Sequence, residues 1–255
     1  MSGVDPSVRA FNQDVLKNEG YLYTTHAALS SQLATQRHKD ILLGLNVFSD
    51  RNLLDMGCGD GFYTRYFWDT AKPRSLTAID AASSAIEMAE ANKKGRAINF
   101  EVGDIHHINY PDNNFDVALI QGVLHHDDRP QQILREAFRL APQIIVLEPN
   151  GYNLGLKIIE KLSPYHRAHR EKSYAPATLN RWIREAGGKV TSQIFAGFVP
   201  IFCPDWLAIS LKKMEPIIEA LPLISALGCA VNVVVANRVS ATERFADRSA
   251  RDHAK

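Results

Sequence analysis

An α/β domain built on a largely parallel sheet is the fold class that this sequence predicts, and three observations predict it. Short apolar runs alternate with segments of helical period, the pattern of repeated strand and helix units. One of those runs, Leu53-Leu54-Asp55-Met56, enters a glycine-rich turn, Gly57-Cys58-Gly59-Asp60-Gly61, that opens a helix. The 255 residues, 45% of them hydrophobic, suffice for one large core and are marginal for two.

Taken in order, residues 1–50 stand outside the alternation and are expected to form a helical cap. Strands are expected at residues 52–56, 75–80, 98–102, 115–121, 143–148, 189–195 and 230–236, each a short apolar run between turn-forming residues. Helices fill the gaps. One begins near Gly61 and another at Ser83 or Ser84; a third covers about 130–140, with Asp128 as its cap and Pro130 in its first turn. A fourth, roughly 176–186, is stopped by Gly187-Gly188. Between the last two strands an insertion over about 198–228 contains a helical repeat, Leu207, Leu211, Met214, Ile218 and Leu221, which is expected to face inward while Lys212, Lys213, Glu215 and Glu219 face water. The organisation is therefore a cap (1–50), one domain (51–237) with that insertion, and a polar, flexible tail (238–255).

Composition narrows the partners. Lys plus Arg number 29 against 28 Asp plus Glu, so no net field draws a nucleic acid, and a small molecule is the better candidate. Cys58, Cys203 and Cys229 are too few and too scattered for a disulfide framework and contain no CxxC pair, which fits the cytoplasm. The charged first twenty residues lack the apolar core of a secretion signal, and no apolar run approaches the roughly 18 residues of a membrane span. Phe195, Phe198, Phe202 and Trp206, beside the insertion, nonetheless admit a hydrophobic acceptor or peripheral contact with a membrane surface.

The glycine turn carries the chemistry. Glycine permits positive φ and close approach of a ligand, and the amides that start the following helix point at an anionic group. The dinucleotide fingerprint needs a third glycine at position 62, where Phe62 stands, which argues against a nicotinamide oxidoreductase. The glycines lie instead at 57, 59 and 61, two residues after Asp55. Further along, Asp80 ends the second strand, Gly103-Asp104-Ile105 follows the third, Gln121-Gly122-Val123-Leu124-His125-His126-Asp127-Asp128-Arg129-Pro130 follows the fourth, and Leu147-Glu148-Pro149-Asn150 ends the fifth.

In that order, over about residues 50–195, these motifs resemble the class I S-adenosylmethionine-dependent methyltransferases, of a bacterial small-molecule type. The resemblance implies a Rossmann-like sheet of seven strands, mostly parallel with the last reversed, and helices on both faces. It implies S-adenosyl-L-methionine held by Asp55, Gly57, Cys58, Gly59, Gly61, Asp80, Ala81, Asp104, Ile105 and Gln121. Asp80 would accept from the ribose hydroxyls, and Asp104 from the adenine amine. His125, at the carboxyl edge where open α/β sheets bind ligands, is the candidate base, because imidazole titrates near neutrality. Tyr21, Tyr23, Glu148, Tyr165 and His166 are candidates for touching the acceptor. Adjacent histidines diverge, so neither His106-His107 nor His125-His126 chelates a metal by itself, and none is expected. The expected activity is methyl transfer to an oxygen or nitrogen of a small acceptor, sugar- or lipid-linked. A binding subunit without catalysis is the alternative.

Overall fold

The computed structural model describes residues 12, 15, 28–162, 172–201 and 203–239. Tyr21, Tyr23, Tyr165 and His166 lie outside the described residues, as does nearly all of the expected tail. The described elements are α1 (Leu29–Gly44), β1 (Asn52–Met56), α2 (Phe62–Ala71), β2 (Ser75–Asp80), α3 (Ser83–Ala91), β3 (Ile98–Val102), β4 (Val117–Gln121), a 3-10 turn (Leu124–His126), α4 (Pro130–Leu140), β5 (Gln143–Pro149), α5 (Leu154–Leu162), α6 (Pro176–Glu185), β6 (Gly188–Ala196), α7 (Asp205–Glu219), α8 (Pro222–Gly228) and β7 (Val231–Arg238).

The strands form one sheet in the order β3-β2-β1-β4-β5-β7-β6. Strands β3, β2, β1, β4 and β5 pair in parallel, and β7 runs antiparallel to both β5 and β6. Successive residues of a strand serve opposite faces, so Leu53, Val117 and Leu119 pack with Phe67 of α2 and Ile86 of α3, while Leu54, Ala118 and Ile120 pack with Ile133 of α4 and Ile183 of α6. Burial of both faces is why the strands read as continuous apolar runs. The strand order turns at β1 and β4, the switch point beyond whose carboxyl ends open α/β sheets hold their ligands.

Two expectations need correction. The α4 cap is not Asp128: the 3-10 turn leaves Asp127 extended, and its Oδ1 accepts from the Arg129 amide at 2.6 Å. The insertion is also oriented differently. It forms two helices, α8 beginning at Pro222; in α7 Ile218 is buried and Lys213 exposed as expected, but Glu215 is buried and Met214 exposed, and Leu221, past the helix end, is exposed too. The acids face inward because unpaired groups wait there. Glu215 accepts from the Phe198 amide (2.9 Å) and Glu219 from the Gly197 amide (2.8 Å), both at the exit of β6. Arg37 of α1 pairs with Glu219, and Lys212 with Glu215. The helix thus turns its ionic side to the protein and much of its apolar side outward, with Trp206, Ile209 and Ile217 exposed.

Candidate active site

The turn after β1 is held from below. Gly57, Gly59 and Gly61 have φ of 79°, 56° and 71°, the left-handed region that glycine enters without strain. The Gly57 and Cys58 amides donate to the carbonyl of Ile79, at 2.7 and 3.2 Å, so the turn is tied to β2. A Cβ on Gly57 would lie 2.4 Å from Val123 Cγ2, which shows how tightly this turn abuts the loop that follows β4. Asp55 sits under the turn and accepts from Thr64 Oγ1 at 2.6 Å. Burial pushes its carboxyl up to about 6, against the pull of the Thr64 bond and with help from the Asp80 charge. Cys58 is similarly desolvated, and its thiol is pushed well above the usual range by burial and the carboxylates of Asp55, Asp80 and Asp60.

At the end of β2 the Asp80 carboxylate accepts the Gly59 amide on Oδ2 and the Ala82 amide on Oδ1, both at 2.8 Å. Burial raises its pKa, and those amides oppose the rise. Each oxygen keeps lone-pair capacity beyond the amide it accepts, which suits a pair of vicinal hydroxyls. Ala81 is exposed beside it. Past β3, Asp104 Oδ1 accepts from the His106 amide (2.9 Å) and faces His106 Nδ1 (2.6 Å), while His106 Nε2 faces Asp127 Oδ1 at 3.0 Å. Burial raises the Asp104 carboxyl, but the His106 contacts outweigh it and the net shift is downward. His106 thereby ties the loop after β3 to the loop after β4. Ile105 packs into the core.

The loop after β4 is organised by one carboxylate. Glu148, 2% exposed at the end of β5, accepts on Oε1 from the Val123 (2.9 Å) and Leu124 (2.8 Å) amides and on Oε2 from the His125 amide (3.2 Å). The same Oε2 meets His125 Nδ1 at 2.7 Å. The His125 and His126 rings pack with centroids 3.8 Å apart.

Two further groups lie where α1 crosses α2. Tyr63 Oη is 3.4 Å from His38 Nδ1. Burial pushes the Tyr63 phenol up to about 12, opposed by hydrogen bonds from Thr35 and Gln121. Burial, then the cations of Arg37 and Lys212, push His38 down to about 4. Both are neutral at pH 7. The Gln121 side-chain oxygen is buried near them without a hydrogen-bond partner among the described residues. His38, Tyr63 and His106 were absent from the residues picked by sequence; their contacts join separate elements, and no local pattern announces them. Among the described residues no cluster of three metal-ligating side chains occurs.

These features agree with what known proteins show. A family model described as a methyltransferase domain matches residues 54–152. The chain is 31% identical over 104 residues to a fatty-acid O-methyltransferase of Mycolicibacterium smegmatis, covering 41% of this chain and 36% of that one. It is 28% identical over 169 residues to a demethylmenaquinone methyltransferase of Thermotoga maritima, covering 66% and 68%. The aligned region thus spans about a third of the first relative and two thirds of the second. In fold, a Thermotoga maritima structure described as an S-adenosylmethionine-dependent methyltransferase, possible histamine N-methyltransferase, superposes with a TM-score of 0.67 at 15% identity, over 91% of this chain and all of that one.

Proposed function

We propose that this chain, a class I S-adenosylmethionine-dependent methyltransferase, transfers a methyl group to an oxygen or nitrogen of a small apolar acceptor, with His125 receiving the acceptor's proton. One observation carries the reading: the Gly57 turn and the loop that presents His125 are in direct contact at Val123, so cofactor site and candidate base share one crevice. Asp80 fits the ribose, with an amide already aligned on each oxygen, and Asp104, whose side chain is 63% exposed, fits the adenine edge. The turn's amides serve the methionine carboxylate. Asp55, accepting from Thr64, supports the turn from below. When bound there, adenosylmethionine supplies an electrophilic methyl group. The protein's own part is alignment, exclusion of water and removal of a proton.

Two observations favour an apolar acceptor. His38 and Tyr63, where α1 crosses α2, are both neutral near pH 7, so neither adds a charge beside Gln121 at the end of β4. The relatives named above methylate a fatty acid and a demethylmenaquinone, both lipid-soluble. The outward apolar side of α7 and α8, together with Leu154 and Ile158 of α5, supports peripheral contact with a membrane on the cytoplasmic side. Among the described residues no helix is long and apolar enough to cross one.

Calorimetry with adenosylmethionine, followed by transfer of labelled methyl into long-chain alcohols, amines and quinols, tests the reading. His125→Ala is expected to lower turnover on the order of 10²- to 10⁴-fold while leaving adenosylmethionine affinity within about threefold. Unchanged turnover in that variant would remove His125 from the mechanism.

A further inference from the structure

A buried carboxylate needs a reason to be where it is, and Glu148 has an unusual one. Among the described residues no Lys or Arg pairs with it, and its four partners are three consecutive backbone amides and one imidazole nitrogen, all from residues 123–125. A carboxylate offers about four lone-pair positions, so these four donors fill it. A group so occupied has no capacity left for an acceptor molecule, despite lying at the strand end where one would dock.

From this we infer that Glu148 is a positioning residue that sets the tautomer and the aim of His125. Deepening the function proposed above, this inference rests on His125 being the base. An ionised carboxylate accepts hydrogen bonds and donates none, so the proton of the neutral His125 ring is drawn to Nδ1. The neutral ring's basic nitrogen is then Nε2. The three amide bonds hold the backbone of residues 123–125, so Glu148 acts both on where the ring sits and on which nitrogen is basic. As the acceptor is methylated its proton passes to Nε2, and the resulting imidazolium already faces a carboxylate at 2.7 Å. No reorganisation is needed at that moment.

The deciding measurement needs no acceptor. In the full chain carrying ¹⁵N-labelled histidine, long-range ¹H–¹⁵N spectra recorded with and without adenosylmethionine report both ring nitrogens, and His125→Asn identifies the signal. The wild type is expected to show His125 protonated on Nδ1 and unprotonated on Nε2 near neutral pH. Glu148→Gln, whose amide can present its NH₂ to the ring, is expected to shift the proton toward Nε2. Turnover should fall by a part of the 10²- to 10⁴-fold that a general base supplies, with adenosylmethionine affinity kept. A wild-type His125 protonated on Nε2 would overturn the inference, even if Glu148→Gln failed to fold. So would a Gln variant that folds and keeps the same tautomer. Loss of the broader reading looks different: no calorimetric adenosylmethionine binding, with the Nδ1–H tautomer intact.

Discussion

Asp80 and Glu148 are both buried carboxylates at the carboxyl end of a parallel strand, yet they are built for opposite purposes. Asp80 takes the Gly59 amide on one oxygen and the Ala82 amide on the other, with the Ala81 amide also acting on it, and keeps lone-pair capacity. Glu148 takes two donors on each oxygen and keeps none. Burial raises the pKa of the first, since the backbone amides it accepts do not repay desolvation. The lesson is that burial and position do not separate a ligand-binding acid from an organising one; counting donors against lone pairs does. The β1–β3 half of the sheet edge leaves acceptor capacity open, as the cofactor site proposed there requires, whereas the β4–β5 half is closed on itself and holds one imidazole.

The sharpest way to break this contrast is Asp80→Ala. Two charge-assisted hydrogen bonds of about 1.5–3 kcal/mol each would be lost, so adenosylmethionine binding should weaken at least a hundredfold by calorimetry. A change of less than about threefold would mean that the open lone pairs of Asp80 serve something other than the ribose.

How much of this was legible beforehand follows from how local each signal is. The glycine turn, Asp80 and the strand ends sit within single strand–turn–helix units, so their spacing shows in the chain, and β1, β2, β3 and α4 lie where the apolar runs placed them. The α7 orientation was misread because what turns Glu215 and Glu219 inward is Arg37, more than 170 residues away, together with two amides at the β6 exit. A hydrophobic period sees only a helix's own residues, and here buried ion pairs overrode it. Glu148 was recognisable as a strand-end acid, but its four donors lie 23 to 25 residues back and became neighbours only through the pairing of β4 with β5. That Arg129 and not Asp128 takes the cap position of α4, with Asp127 accepting the Arg129 amide, turned on one 3-10 turn.

Asp55 sharpens the comparison at somewhat smaller amplitude, because it has a single side-chain donor, Thr64 at 2.6 Å. Its carboxyl is raised from 3.8 to about 6. With the folded value above the unfolded one, its contribution to stability is complete below about pH 4 and lost as pH rises through about 6. The loss amounts to about 3 kcal/mol. Asp55→Asn keeps an acceptor for the Thr64 hydroxyl and cannot ionise, so without adenosylmethionine its thermal midpoint should fall less than the wild type's between pH 4 and 7.5. Parallel curves would show that Asp55 is better solvated than its burial implies.

The smallest effect on stability belongs to the outward apolar face of α7 and α8. Trp206, Ile217 and Leu223 are 70%, 67% and 80% exposed, so replacing them together by Glu removes little packing and should change stability by no more than about 0.5 kcal/mol per site. Free monomers rarely carry such apolar surface without a use for it. If the use is a lipid surface, the wild type should co-float with phosphatidylcholine vesicles and the triple variant should not. Its adenosylmethionine affinity should be unchanged, since the cofactor half is untouched. Methyl transfer to a water-soluble short-chain acceptor should survive, while transfer to an acceptor embedded in vesicles should drop. If wild type and variant remain equally unbound to vesicles, these residues face something other than lipid. The contrast between the two halves would then stop at the crevice and not extend to the surface.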